Sequence, residues 1–332
     1  MTIYNKIGVV GGGAWGTALA AMAARAGREV ILWARENDVV TSINEDHENK
    51  MFLSAVALPE NLKATADLGE MAGVDAVLMV APAQFVRATA EQLKPILKES
   101  TPMVLCAKGI EISTGQLMNE VLGEVLPKTP LAVLSGPTFA REVAQGLPSA
   151  VTIASRYQNI AQNLADSFGQ ARFRPYLSRD VVGAEVGGAV KNVLAVACGI
   201  VAGLELGENA RAALITRGMA EMVRFGENFG AKRETMMGLC GLGDLILTCS
   251  SPQSRNMSLG LAVGQGKAVL DVMNGRKTVA EGYHTAGILA QIAERENIDM
   301  PIATAVNAIL HQGKDVAEVV ESLLSRPYIS EI

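Results

Sequence analysis

Hydrophobic positions follow two regimes along the chain. Up to about residue 180, short apolar runs alternate with longer segments of helical spacing, and beyond it helical spacing dominates. The run Ile7-Gly8-Val9-Val10 predicts a strand leading into Gly11-Gly12-Gly13-Ala14-Trp15-Gly16. Thr17 to Ala26 predicts a small, apolar helix stopped by Gly27, and Glu29 to Trp33 a second strand. Asp75 to Ala81 predicts a strand ending at Pro82, followed by a helix from Ala83 to Leu97. Met103 to Ala107, Leu131 to Leu134 and Ala150 to Ala154 predict further strands. Such alternation predicts an α/β fold with a doubly wound, mainly parallel sheet over residues 1–180. Residues 181–332 are expected to form an all-α domain. Its helices are predicted at Ala210–Phe229, Met257–Val263, Thr285–Glu296, Ile302–His311 and Val316–Ser325.

Between the two regimes lies Gly187 to Gly199, GGAVKNVLAVACG. It has no polar face, so it predicts a helix buried on most sides. Lys191 in such a helix must find partners or lose its charge. A lone lysine there is more often a snorkelling structural residue, so a catalytic role depends on its neighbours. The flanking glycines suggest a hinge.

Gly11, Gly13 and Gly16 fit G-x-G-x-x-G between a strand and a helix, the context that dinucleotide binding requires. The glycines allow a tight turn and close approach of backbone to pyrophosphate, and the helix N-terminus supplies amide donors. At the end of the second strand, Arg35 suits a 2′-phosphate and favours NADPH, while Glu36, one place on, keeps NADH open. The crevice of a doubly wound sheet lies beyond the strand carboxyl ends, where Lys108 and Gly136-Pro137-Thr138 fall. Two polar loops are expected among the helices. Gly241 to Cys249 places Asp244 after glycines, and Ser254-Arg255-Asn256 precedes a helix as a phosphate clamp or an ordinary cap.

Composition narrows the chemistry. The 332 residues carry a net charge of −5 and no basic block, which argues against nucleic acid as a partner. Cys106, Cys198, Cys240 and Cys249 lack metal-ligand spacing and do not cluster with His47, His284 and His311, so no metal and a reduced cytoplasmic setting are expected. Met1 to Lys6 leads straight into an apolar strand rather than a leader. No membrane span is expected, because Lys191 interrupts the best candidate for the ~20 uncharged residues a span needs.

Taken together, GGGAWGTALA (Gly11–Ala20), AKGIE (Ala107–Glu111), SGPTFAREVA (Ser135–Ala144), GGAVKNVLAVACG, NARAALITRG (Asn209–Gly218), GLGDLILTC (Gly241–Cys249) and SRN (Ser254–Asn256) resemble the bacterial NAD(P)-dependent glycerol-3-phosphate dehydrogenases over essentially the whole chain. The resemblance implies a Rossmann-like domain, a helical substrate domain and a homodimer. It also implies reversible reduction of dihydroxyacetone phosphate to sn-glycerol 3-phosphate for phospholipid synthesis. By the same resemblance, Lys191 is the proton donor and acceptor. Lys108, Gly136, Thr138, Asp244, Ser254, Arg255 and Asn256 meet substrate; Asn192, next to the lysine in sequence, is expected to orient a substrate hydroxyl. Ala14, Trp15, Arg35, Lys108, Ala140, Arg255, Val279 and Glu281 line the cofactor beside the glycine turn. Family members often carry Ser where this chain has Ala14.

Two other readings stay open from the residues alone. One is a reductase of the same plan acting on a hydroxy acid or sugar acid. The other is a sensor that binds NADPH without turnover, against which the pair Lys191 and Asp244 argues, since a sensor needs no proton donor.

Overall fold

The computed structural model describes residues 2–275 and 280–328. Its first half is built on strands β1 (Lys6–Val10), β2 (Glu29–Trp33), β3 (Leu62–Thr65), β4 (Ala76–Met79), β5 (Met103–Leu105), β6 (Leu131–Ser135), β7 (Ser149–Ala154) and β8 (Phe173–Ser178). Helices α1 (Ala14–Arg25), α2 (Asn37–Asp46), α3 (Val86–Leu93), α4 (Met118–Val125), α5 (Ala140–Ala144) and α6 (Gln158–Phe168) connect them. The strands are ordered β3-β2-β1-β4-β5-β6-β7-β8, so the chain reverses direction across the sheet between β1 and β4. That reversal opens the ligand crevice of a Rossmann-type fold.

The sheet is parallel except where β7 runs antiparallel to β6, pairing Leu134 with Ile153. The all-buried run Ala76–Met79 fits a sheet covered on both faces. The helix expected over Ala83–Leu97 is shorter, because residues 83–85 form a tight turn and the α-helix ends at Leu93. β8 holds Pro175 yet pairs in register with β7, which an edge strand permits.

After Ser178 the chain is helical: α7 (Val181–Gly203), α8 (Glu208–Asn228), α9 (Arg233–Met236), α10 (Asp244–Cys249), α11 (Arg255–Gly264), α12 (Val269–Asn274), α13 (Glu281–Arg295), α14 (Pro301–His311) and α15 (Val316–Leu324). α7 is the axis of this half and is buried from Gly183 to Ile200. By length and composition α7 could cross a membrane, with a mean hydropathy of 1.7. The expectation that Lys191 disqualifies it is therefore corrected: one lysine does not lower the hydropathy enough, and the helix is apolar because other helices enclose it.

The glycines of α7 pack rather than flex. A Cβ at Gly187 would lie 2.2 Å from the Cys240 carbonyl oxygen, and one at Gly199 would lie 2.1 Å from that of Met257. On the facing helix, a Cβ at Gly260 would come 1.9 Å from the Val196 oxygen, so α7 and α11 meet backbone to backbone. The expected hinge is a continuous helix whose small residues allow that approach. The segment expected as a loop at Gly241–Cys249 is also helical, a π-type turn over Leu239–Gly243 running into α10. Its glycines again serve contact: a Cβ at Gly241 would fall 1.9 Å from the Met236 oxygen.

Candidate functional site

The glycine turn sits at the carboxyl end of β1. Gly11 has φ of 128°, a conformation that disfavours a side chain, and a Cβ there would meet the Val80 carbonyl carbon at 2.9 Å. A Cβ at Gly16 would lie 1.8 Å from the Gly11 oxygen, so helix and turn touch directly. Gly13, by contrast, is exposed at the mouth, and a Cβ there would meet nothing within 4 Å. Ala14, Trp15 and Ala140 pack on the same apolar cluster beside the turn. The Trp15 indole Nε1 is buried without a hydrogen-bond partner among the described residues. An open backbone cradle, a helix N-terminus and an orphaned donor fit a phosphate-bearing dinucleotide.

Arg35 and Glu36, alternatives in the sequence, are partners in the structure: Arg35 Nη2 lies 3.0 Å from Glu36 Oε1 at the end of β2. The Arg35 side chain is 77% exposed, so the pair leaves its guanidinium available.

Lys108 follows β5 and crosses to the helical half. Its stem lies along Gly188, where a Cβ would come 3.1 Å from Lys108 Cγ, and its Nζ is 2.7 Å from Asp244 Oδ2. Lys191 Nζ reaches the other oxygen of that carboxylate at 2.5 Å and the Thr248 hydroxyl at 2.8 Å. Thr248 in turn donates to the Asp244 main-chain carbonyl at 2.6 Å. Asp244 is fully buried, and Lys191 is 6% exposed. Burial pushes the Lys191 ammonium down to about 8; the Asp244 carboxylate opposes that shift and the Lys108 cation adds to it. Two ammoniums on one carboxylate leave one positive charge in excess. A buried excess charge is costly until an anion neutralises it.

Gly136 to Thr138 lie at the end of β6. Gly136 has φ of 151°, and a Cβ there would meet Val151 Cα at 3.0 Å. Thr138 Oγ1 donates to the Gly136 carbonyl at 3.2 Å, and Pro137 lies against Gly243 just before Asp244.

The Ser-Arg-Asn segment combines both roles weighed for it. Ser254 is the cap of α11, accepting from Met257 N at 3.2 Å, while Arg255 and Asn256 occupy the first turn rather than a loop. Asn256 Nδ2 donates to Asn192 Oδ1 at 2.8 Å, and its own Oδ1 accepts from Gly282 N at 2.9 Å. This one amide ties α7, α11 and α13 together. Arg255 stays solvent-exposed in the first turn of α11; the protein around its guanidinium draws it below the ordinary value, and Glu281 opposes the shift. Glu281 is pushed up to about 7 by burial, against the Ala83 N–H and Arg255. Val279 lies outside the described residues.

The structure thus joins Lys108, Lys191 and Asp244 directly, and Asn192 with Asn256. Arg35 stands apart at the end of β2. Sequence reasoning missed Thr248, whose signal was its place four residues after Asp244, one turn along a helix that was expected to be a loop.

A crevice at the sheet's reversal point, a glycine cradle and a buried lysine–carboxylate cluster define a two-domain, dinucleotide-dependent oxidoreductase. Residues 6–161 match the family described as the NAD-dependent glycerol-3-phosphate dehydrogenase N-terminus, and residues 180–321 match the one described as its C-terminus. An NAD(P)+ glycerol-3-phosphate dehydrogenase of Parvibaculum lavamentivorans is 56% identical over 99% of this chain and 98% of its own. One from Rhodospirillum rubrum is 56% identical over 98% and 93%. The crystal structure of glycerol-3-phosphate dehydrogenase from Coxiella burnetii superposes with a TM-score of 0.93 at 40% identity, covering 97% of this chain and 99% of that one. The chain belongs to the NAD-dependent glycerol-3-phosphate dehydrogenase family.

Proposed function

We propose that this chain catalyses the reversible NAD(P)H-dependent reduction of dihydroxyacetone phosphate to sn-glycerol 3-phosphate, feeding glycerophospholipid synthesis. Residues 1–180 form the dinucleotide-binding domain and residues 181–332 the helical substrate-binding domain, with side chains of each reaching into the other's site. The observation that carries this reading is the Lys108–Asp244–Lys191 cluster, a buried site with one positive charge in excess beside the strand ends.

When bound, the dihydronicotinamide supplies a hydride to C2 of the substrate. Negative charge then develops on the C2 oxygen. Lys191, with its ammonium drawn down to about 8, still carries its proton at neutral pH and gives it up readily. Asp244 and Thr248 engage two of its three N–H donors, and the remaining one is assigned to the reacting oxygen. Lys108 adds positive field at that oxygen, and Asp244 holds both ammoniums in place. In the reverse direction neutral Lys191 takes the proton back.

Arg255, Asn256 and the first amides of α11, capped by Ser254, bind the phosphate, supplying binding energy away from the reacting carbon. Gly136, Thr138 and Asn192 complete the substrate pocket. Gly11, Gly13, Ala14, Trp15 and Gly16 receive the pyrophosphate, and Lys108, Ala140, Arg255 and Glu281 line the rest of the cofactor. The exposed Arg35 guanidinium favours NADPH over NADH. The working form is a homodimer in the cytoplasm.

The test is dihydronicotinamide absorbance on adding dihydroxyacetone phosphate, with NADPH and NADH in parallel. Rapid oxidation is expected, faster with NADPH at low cofactor. Tight NADPH binding without oxidation would refute the substrate assignment.

A further inference from the structure

Asn49 lies in the connection between α2 and β3, far from the glycine turn in sequence, yet it is fully buried against it. Its Nδ2 donates to the Gly12 carbonyl at 2.8 Å and to the Thr17 hydroxyl at 2.8 Å. Its Oδ1 accepts from Phe52 N at 3.0 Å. Both amide hydrogens are therefore committed to the turn and the helix that follows it, and the carbonyl to the loop that carries Asn49 itself. Thr17 Oγ1 also lies 3.4 Å from the Gly12 oxygen.

We propose that Asn49 is the positioning residue of the dinucleotide turn, holding the Gly12–Gly13 peptide so that the Gly13 N–H faces the cofactor's phosphates. In a trans peptide the carbonyl and the following N–H point in opposite directions. None of the described peptide bonds is cis. Fixing the Gly12 carbonyl from behind therefore directs the Gly13 N–H outward. That is the exposed mouth, where a Cβ at Gly13 would meet nothing and α1 begins. A Gly12 has little intrinsic preference for one peptide orientation, so an external amide must supply it. Loss of the Asn49 donor leaves the buried carbonyl with only the long 3.4 Å bond from the Thr17 hydroxyl, and the peptide then gains by rotating towards solvent.

The same loop is anchored at its other end. Arg141 Nη2, on α5, donates to the Ser54 carbonyl at 2.8 Å, and Phe52 packs on the cluster that includes Trp15 and Ala140. The loop thus spans the two elements assigned to the cofactor, and Asn49 is its fixed point at the turn.

The inference rests on the cofactor half of the proposed function and not on the substrate, so its test uses binding alone. Full-length wild type, Asn49→Ala, Asn49→Asp and Thr17→Val are titrated with NADPH, NADH and ADP-ribose by intrinsic fluorescence, with thermal unfolding of each free protein alongside. Asn49→Asp keeps the volume and the acceptor for Phe52 but turns an oxygen towards the Gly12 carbonyl. Both Asn49 variants are expected to weaken all three ligands by a common factor of roughly tenfold or more, the scale of one hydrogen bond lost from a buried acceptor. Thr17→Val loses less, and the NADPH:NADH ratio stays unchanged throughout. In steady state the loss falls on KM for the dinucleotide rather than on kcat.

Ligand affinities within about twofold of wild type, with only the unfolding temperature lowered, would make Asn49 a structural residue and overturn the proposal. A changed NADPH:NADH ratio would overturn it too, because the effect would then lie at the ribose end. If Asn49→Ala does not fold, the other two variants decide. Failure of wild type to turn over dihydroxyacetone phosphate would refute the substrate assignment and leave this test standing.

Discussion

Asp244→Asn keeps the side chain's size and removes the negative charge shared by Lys191 and Lys108. Asp244 is what opposes burial at Lys191, whose ammonium already sits down at about 8. An opposite charge in hydrogen-bond contact is worth about 1–3 pKa units, so without it the Lys191 value falls to about 5–7. Lys108 pushes the same way. Carbonyl reduction needs the protonated lysine, so the kcat/KM for reduction should be flat below about 8 in wild type and fall tenfold per pH unit above it. In the variant the fall begins at lower pH. At pH 8 the protonated fraction drops from about a half to between roughly a tenth and a thousandth, an ionisation loss of about 5- to 500-fold. Oxidation of sn-glycerol 3-phosphate needs the neutral amine, so its pH limb should extend to acid in the variant, the opposite sign. The assay is kcat/KM against pH in both directions, with circular dichroism to show that each variant is folded. A reduction limb that stays near 8 or moves up would refute Lys191 as the titrating donor held by Asp244.

Arg255→Ala should raise KM for dihydroxyacetone phosphate by roughly 10- to 100-fold with a smaller loss in kcat, since a charge-assisted phosphate contact is worth about 1.5–3 kcal/mol; an unchanged KM in steady-state kinetics would remove the clamp. Arg35→Ala should cut the NADPH:NADH preference by about tenfold, leaving Glu36 free for a ribose hydroxyl; equal ratios in competition assays would place specificity elsewhere. Glu185 is 6% exposed, accepts from Asn119 N at 2.9 Å, and is pushed up to about 8 by burial. Its folded value lies above its unfolded one, so its contribution is greatest below about pH 4.5 and is lost as pH rises towards 8, at about 1.4 kcal/mol per unit. Glu185→Gln should therefore flatten urea-derived stability between pH 5 and 8, and an unaltered slope would count against a buried proton. Gly260→Ala should destabilise by about 2–4 kcal/mol, because its Cβ would come 1.9 Å from the Val196 oxygen; a wild-type midpoint in denaturant would mean that α7 and α11 separate freely.

The first strand, the glycine turn, the second strand and the buried central helix were legible because each carries its own local pattern. Ile7–Val10 is apolar and stops at glycine, and the run around Lys191 has no polar face. Strand direction has no such signature. Ala150 to Ala154 reads the same whether it joins β6 parallel or antiparallel, and only the short connection through α5 decides it. Leu62–Thr65 was too short, and Phe173–Ser178 too polar and proline-bearing, to stand out. At the site, Lys191 and Asp244 were already legible as a pair. That Asp244 also serves Lys108, 136 residues earlier, depends on packing between halves. The error at Gly241–Cys249 has a single cause: glycines were taken to mark a loop where they mark close backbone contact.

The two halves also share a core. Val181, Ala184 and Cys240 from the helical part are buried in the same cluster as Met103, Leu105 and Val133 of the sheet, and the Lys108–Asp244 pair crosses the same boundary. Separating the halves would wet these apolar side chains and break the ion pair, so each half is expected to stabilise the other. A chain cut after β8 keeps every described strand and loses the part of one face's cover that Val181, Ala184 and Cys240 supply, while α3 and α4 remain on it. For this architecture the sheet and the helices lend each other stability through that shared boundary.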